Sequence, residues 1–336
     1  MINIVVDCYG GDRSPQANIE GAVKAINEDK ELKLFLTGKE EEIKIELAKY
    51  EYNKEQIEII NATEVIDCNE SPTEAIKKKT DSSMVKAYEL LKNNSDIAGM
   101  VTLGSTGAML AGAVLKIGRV KGVKRPALCP IIPTMNGGIV AVCDSGANVD
   151  CDPIWLEQFA VMSSLYMQFG YNIEKPRVAL LNIGTEEEKG DALRKETYQL
   201  LKNNDSINFV GNMESRDFIS GNYDIVVCDG FAGNVLLKST EGTALELLKL
   251  LKKSMTKNFK SKMGALLLKK EVYGIKDMMD YNNYPGAILL GVNSLIVKSH
   301  GGGKASSVYH SIKLVAKLSK NDINGVIKDK FFQKVE

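Results

Sequence analysis

Five glycine-containing turns, each between a strand-like run and a helix start, carry most of the residues here that could do chemistry: YGGD at 9–12, GSTGA at 104–108, NIGTEEEKG at 182–190, DGFAGN at 229–234 and HGGGKASS at 300–307. A helix start offers unpaired N–H groups and the positive end of the helix dipole, and glycine lets backbone approach a ligand closely. Such turns therefore suit a phosphate or phosphoryl group. Any one of them is equally well explained as tight-turn chemistry; five of them together point to a ligand. Asp7 and Asp12 flank Gly10 and Gly11, where they could hold a polar ligand, although Asp12 also reads as a helix cap. Ser105 and Thr106 lie between Gly104 and Gly107; with no base nearby they suit binding rather than nucleophilic attack. In the third turn Asn182, Gly184 and Glu186 precede Lys189, a point charge for phosphate. Asp229, Gly230, Gly233, Asn234 and Lys238 belong to the fourth. The two histidines, His300 and His310, fall in one loop–helix element, and His300 is the stronger candidate for moving a proton.

The segment DSGANVDCDP (144–153) gathers Asp144, Asn148, Asp150 and Asp152 after a strand. Three carboxylates so close suit a divalent cation as the lesser option; Asp152 before Pro153 is already explained as a helix start. There is no G-x-G-x-x-G after the first strand, no G-x-x-x-x-G-K-[ST], no H-E-x-x-H and no G-x-S-x-G, which disfavours dinucleotide oxidoreductases, P-loop NTPases, zincins and α/β-hydrolases. The 43 basic and 43 acidic residues cancel, and that balance argues against a nucleic-acid binder. The six cysteines are scattered, as expected of reduced thiols in the cytosol. The strand-like INIVV meets Asp7 at once, so no signal peptide is expected.

Short β-branched runs at 2–7, 32–37, 56–60, 97–102, 139–143, 177–182, 207–210 and 224–228 alternate with amphipathic stretches at about 15–28, 39–50, 82–94, 106–118, 153–169, 189–203, 231–263 and 305–319. This pattern predicts a single α/β domain, residues 1–336, with a mostly parallel sheet and helices on both faces. The Gly turns should converge at the sheet's carboxyl edge. Residues 97–115 carry no charge, but the Gly, Ser and Thr around GSTGA mark them as strand, loop and helix rather than a membrane span. The segment 231–282 is a helical excursion. Its apolar positions follow helical spacing, and residues 247–270 hold eight lysines and no acid. Such a helix suits an anionic membrane surface, an acidic partner or a dimer contact.

The motifs VDxxGGDxxP (6–15), GxTGA (104–108), RPALxPxxP (125–133), GANVD (146–150), NxGTExxKG (182–190), DGFxGNVxLK (229–238), NYxGAxLLGV (283–292) and HG (300–301) together resemble the phosphate acyltransferases of bacterial phospholipid synthesis across essentially the whole chain. The chain departs from that pattern at Cys8-Tyr9, Ser105 and Pro285. The resemblance implies a fold like the isocitrate/isopropylmalate dehydrogenases and phosphotransacetylases, and a homodimer. It implies transfer of a long-chain acyl group from acyl carrier protein (ACP) to inorganic phosphate, with no metal or other cofactor. It further implies a cytoplasmic protein resting on the membrane, where a glycerol-3-phosphate acyltransferase would consume the acyl phosphate.

Under that reading phosphate is the nucleophile, so no catalytic triad is needed. Gly-loop amides and Lys189 would aim it, and the Ser105–Gly107 amides, Asn148 or Asn234 would meet the thioester oxyanion. The thiol leaving group, with a pKa of about 8.5 on the cysteine scale, needs little acid help. His300 is the candidate for any proton transfer, and Lys249, Lys252, Lys253, Lys257 and Lys260 would contact ACP or lipid. The alternatives are a short-chain phosphotransacylase using acyl-CoA, a metal- and nicotinamide-dependent decarboxylating dehydrogenase, and a non-catalytic acyl-ACP sensor.

Overall fold

The computed structural model describes residues 1–332. Its strands are β1 (Ile2–Asp7), β2 (Leu32–Gly38), β3 (Ile57–Asn61), β4 (Ile97–Thr102), β5 (Ala127–Cys129), β6 (Ile131–Pro133), β7 (Ile139–Cys143), β8 (Arg177–Asn182), β9 (Asn208–Glu214), β10 (Ile225–Val227), β11 (Ala287–Leu290) and β12 (Leu295–Lys298). Its α-helices are α1 (Gln16–Glu28), α2 (Glu40–Leu47), α3 (Pro72–Lys78), α4 (Ser83–Asn93), α5 (Thr106–Gly112), α6 (Pro153–Tyr171), α7 (Ala192–Lys202), α8 (Gly230–Met255), α9 (Phe259–Leu267), α10 (Lys269–Met279), α11 (Ala305–Lys320) and α12 (Ile323–Phe332).

All the strand-like runs become strands. The unexpected β5 and β6 are short and separated by Pro130, and prolines make such a run read as loop. Strands β11 and β12, of four residues each, also escape a periodicity reading. The single helix expected over 231–263 is two: it stops after Met255, and the Asn258 side chain caps α9 by accepting from the Ser261 N–H at 2.9 Å.

The strands form two sheets. One runs β3-β2-β1-β4-β12-β11-β5 and the other β6-β7-β10-β8-β9. Pairing is parallel except at β11 and β5 in the first and β6 in the second. Alternation assigns the faces. Ile4, Val6, Leu34, Leu36, Ala141, Cys143, Ile225 and Val227 pack into one core shared by both sheets and covered by α1, α6, α11 and α12. Their sequence neighbours Val5, Phe35 and Met100 meet α3, α4 and α5 on the other face of the first sheet. The other face of the second sheet (Val140, Val142, Ala179, Val226) is covered only thinly, by Phe218 and by Leu236 of α8.

The segment 127–133 crosses from one sheet to the other, and Asp144 fastens the crossing. Its buried carboxylate accepts from the N–H groups of Leu128 (2.9 Å), Gly146 (3.3 Å), Ala147 (2.9 Å) and Asn148 (2.7 Å), and from the Asn148 side chain at 3.0 Å. The Asn148 amide also donates to the Pro126 carbonyl, and the Gly230 N–H donates to the Asn148 carbonyl. Gly233 lies against the Asp144 carbonyl so closely that a Cβ has no room. The start of α8 is thereby set against both sheets. Because an orphaned buried N–H costs about 1–3 kcal/mol, Asp144→Ala is expected to lower unfolding free energy by roughly 3 kcal/mol or more. A loss below about 1 kcal/mol in denaturant titration would show that the junction does not depend on this carboxylate.

Candidate active site

Three neighbouring strands of the first sheet end in register on polar residues: Asp7 pairs with Thr102, and Thr102 with Lys298. The loops that follow touch one another. Gly10, at φ +90°, lets the first loop pack directly on Gly104, and the Asp12 N–H donates to the Gly301 carbonyl at 2.9 Å. Asp7 is buried and accepts from the Thr102 hydroxyl at 2.7 Å, while the Thr102 oxygen accepts from the Gly104 N–H at 3.0 Å. Burial pushes the Asp7 carboxyl above its usual range, against the pull of hydrogen bonds from Ser83 and Thr102. Asp7 therefore orients the loop beside it rather than facing a ligand.

Beyond these loops, at the crossing of the two sheets, lies a cavity of about 350 Å³. Thr106 of α5, Asn234 and Lys238 of α8, and His300 line it, together with Gly146 and Ser307. The sequence candidates thus converge from loops separated by almost two hundred residues. Among the described residues, the Asn234 side chain has no protein hydrogen-bond partner, which leaves its amide to whatever fills the cavity. His300 Nδ1 accepts from the Gly302 N–H at 3.2 Å, so the ring proton sits on Nε2, which faces Lys238 Nζ at 3.4 Å. Lys238 also donates to Glu241 at 2.7 Å, so an ammonium with its counter-ion and an imidazole stand together on one wall of the cavity. Burial, and then the Lys238 charge, hold His300 below the usual imidazole range, which keeps it neutral.

Lys298 was not apparent in the sequence, because it closes a strand too short to be recognised. It is 9% exposed, and its Nζ donates to the carbonyls of Leu103 (3.2 Å) and Ser299 (2.6 Å) at the cavity wall. Burial pulls its ammonium down to about 8, although Asp7 and Asp12 oppose the shift. A buried lysine in a strand-end position is a signal only once the strand order is known. The Ser299 and Ser307 hydroxyls, 2.6 Å apart, hold the start of α11 against this strand end.

Other candidates have different work. Ser105 caps α5, its hydroxyl accepting from the Ala108 N–H, and Gly107 packs on Pro72. Asp144 and the side-chain N–H groups of Asn148 are consumed by the sheet junction, so Asp144 has no free ligand atom and Asn148 no free donor for an oxyanion. This removes the basis for a cation site on Asp144, Asp150 and Asp152, and among the described residues no three His, Cys, Asp or Glu side chains gather as a metal would require. The 182–190 loop is the main correction. Asn182 donates to the Lys189 carbonyl at 3.1 Å, Lys189 faces Glu186 at 4.0 Å, Glu186 and the close-packed Gly184 stay within the same turn, and none of them reaches the cavity. Their strand, β8, lies one place further out than β10, beyond the crossing. Asp229 caps α8 through the Ala232 N–H and pairs with Arg194, while Gly230 fits beneath Asn148. Asp150 lies in a shallow groove with that pair. His310 packs edge-on against Tyr309 on the side of α11 that meets α1, away from the cavity. Of the departures in motif, Tyr9 stands over Gly38 and donates to Glu42, Cys8 is buried in the core, and Pro285 lines the cavity.

In architecture the chain is similar to a phosphotransacetylase from Streptococcus pyogenes (TM-score 0.63, 17% identity, 95% of this chain and 94% of that one). It is also similar to a branched-chain phosphotransacylase from Enterococcus faecalis (TM-score 0.58, 14% identity, 95% and 99%) and a 4-hydroxythreonine-4-phosphate dehydrogenase from Klebsiella pneumoniae (TM-score 0.54, 12% identity, 95% and 99%). These likenesses establish the fold. In sequence it is 45% identical over 328 residues to the phosphate acyltransferase of Caldanaerobacter subterraneus, covering 98% of this chain and 97% of that one. It is 46% identical over 334 residues to that of Clostridium botulinum, covering 99% and 100%. The model of the family described as fatty acid synthesis protein matches residues 2–325. With fold and sequence agreeing over nearly its full length, the chain belongs to this family, whose relatives named here are phosphate acyltransferases, and is an enzyme of that type.

Proposed function

We propose that the enzyme transfers a long-chain acyl group from the thioester of acyl carrier protein to inorganic phosphate, yielding acyl phosphate for phospholipid synthesis. The observation that carries this reading is the convergence of Lys238, the buried Lys298, His300 and Asn234 on one cavity. An anion seated there is partly stripped of water and meets Lys238, Lys298 and the Asn234 amide, with Glu241 at the edge as the counter-ion of Lys238. A phosphate oxygen attacks the thioester carbon directly, and the Asn234 amide receives the developing oxyanion. The C–O bond forms, the C–S bond breaks, and the hydrogen phosphate proton goes to the departing sulfur, giving acyl phosphate and the free carrier thiol. His300, with a proton on Nε2 and a lowered basicity, is placed to relay that proton.

The exposed face of the excursion supports two further parts of the proposal. Leu247, Leu250, Phe259, Leu266 and Leu267 are all at least 60% exposed, a run of apolar surface that a monomer rarely leaves open. With Lys249, Lys252, Lys253, Lys257 and Lys260 beside it, this surface suits a homodimer contact and peripheral attachment to the cytoplasmic face of an anionic membrane. There a glycerol-3-phosphate acyltransferase would take the product. No helix among the described residues is long and apolar enough to cross a bilayer. Acidic ACP would dock where basic residues gather, the excursion or the stretch from Lys116 to Arg125.

The reaction itself is tested with purified palmitoyl-ACP, with and without phosphate: phosphate-dependent release of free ACP is expected, and binding without release would indicate a sensor. Turnover of acetyl-CoA in preference to acyl-ACP would indicate the short-chain reaction. Asn234→Ala should lower kcat by about 10²-fold or more, whereas Lys189→Ala should stay within roughly twofold of wild type because it meets no cavity group. Equal losses in the two would overturn the placement of the oxyanion donor.

Lys298 gives a pH signature. Its folded-state pKa is depressed to about 8, so its positive charge fades as pH rises through that value, and KM for phosphate should rise in the same range. Lys298→Met should raise KM at neutral pH roughly tenfold or more, the worth of a hydrogen bond to a charged group, and abolish the rise near pH 8. An unchanged pH profile in the folded variant would exclude the role.

For the excursion, the protein should sediment with phosphatidylglycerol vesicles at low salt and be released at high salt or by the combined Lys252→Glu, Lys253→Glu and Lys257→Glu substitutions. Equal binding to phosphatidylcholine vesicles would leave the lysines without a lipid role.

A further inference from the structure

A narrow apolar crevice opens from the active-site cavity and runs along α8. The cavity and the crevice share the side chains of Ile131, Ile132, Leu237 and Glu241 as common walls. From there the crevice continues between β6 and α8, past Pro133, Ile219 and Ala244, to Leu245 and Leu248. The charge at the throat is already met, because Glu241 accepts from Lys238 Nζ at 2.7 Å. Beyond it the lining is almost wholly hydrocarbon, with Thr134 and Thr240 the polar exceptions.

We infer that this crevice is the seat of the fatty acyl chain, with the thioester carbon in the cavity beside Asn234 and the methyl end directed toward Leu248 and the excursion. The inference rests on the acyl-transfer reading above and adds to it where the chain lies and what measures its length. Continuity selects the crevice over its larger neighbour: the adjoining groove lined by Leu181, Phe218, Val235 and Arg194 meets the crevice at Met135, Ile219, Thr240 and Ala244 but shares no wall residue with the cavity.

Length agrees. From Leu237 to Leu248 the helix rises about 16 Å, which an extended alkyl chain spans in roughly a dozen methylenes, given C–C bonds of about 1.5 Å. With the first carbons in the cavity itself, the path fits a long chain and leaves a short one filling only the throat. The crevice is about 70 Å³ as it stands, so a full chain must press α8 outward. Little packing opposes that movement, since the residues of α8 that are buried are Gly230, Gly233 and Leu236, all near its start. Burial of each methylene contributes about 0.8 kcal/mol, which offsets the displacement.

The test compares butyryl, octanoyl and palmitoyl thioesters of carrier protein as donors, with phosphate as acceptor. Wild-type turnover of the palmitoyl donor into acyl phosphate establishes the underlying reading by itself, and its absence would defeat that reading rather than this one. Ala244→Phe places a ring in the middle of the crevice at a half-exposed helix position, where folding is spared. It should lower kcat/KM for the palmitoyl donor by about tenfold or more and leave the butyryl donor within roughly twofold, shifting the preferred chain length downward. Leu248→Trp, at the far end, should penalise palmitoyl only. Equal effects on every chain length would overturn the inference. So would a loss that tracks a change of oligomeric state in size-exclusion chromatography, which would give the crevice to a subunit contact instead.

Discussion

The carboxylate of Asp144 is the constraint from which the rest of this architecture hangs. It collects donors from β5, from the loop at 146–148 and from the Asn148 side chain, and the same loop passes a carbonyl to the first N–H of α8. A buried carboxylate is tolerated when several donors converge on it, and here those donors belong to segments that no single sheet would hold together. Two sheets, each with its own register, become one scaffold, and the cavity is the space left at the join. The position of Asn234 follows from this, since Gly233 permits the helix to lie against Asp144 with no intervening side chain.

The chemistry gathered at the join divides between the two halves. The first sheet contributes the ammonium of Lys298, the imidazole of His300 and the backbone of the contiguous loops of Gly10, Gly104 and Gly301. The second contributes α8, and with it Asn234, Lys238 and the apolar flank. Charged and hydrocarbon groups make opposite demands on solvent, and a site built at a seam can meet both by presenting a different wall to each.

Much of this was legible in the sequence, and the remainder was hidden for identifiable reasons. Parallel strands buried on both faces read as short apolar runs, so β1, β2, β4, β7 and β8 stood out. Glycines after those runs marked the loops, and three of the five loops do meet. Loop chemistry alone, however, does not say which strand neighbours which. Lys189 and His300 looked equivalent as polar residues after strands, and the strand order separates them. Asp144 and Asn148 looked like site residues because polar side chains cluster both at ligands and at buried junctions; only their partners tell the two apart. Lys298 was concealed by β12, whose four residues are too few for any periodicity. The family resemblance located the activity class, while the roles of individual residues needed the geometry.

Helix α8 is unbroken from Gly230 to Met255, and it joins Asn234 in the cavity to Lys252 on the excursion. At 1.5 Å per residue their separation is about 27 Å, fixed by a rigid rod rather than by a linker. The rod also fixes direction: with 3.6 residues per turn, inserting one residue between them would swing the lysines by roughly 100° around the axis, while three or four would nearly restore their bearing. Length variation in this stretch is therefore quantised. The distance between the cavity and the lysine face of the excursion can change only in steps of about one helical turn, or the lysines lose their bearing relative to the cavity.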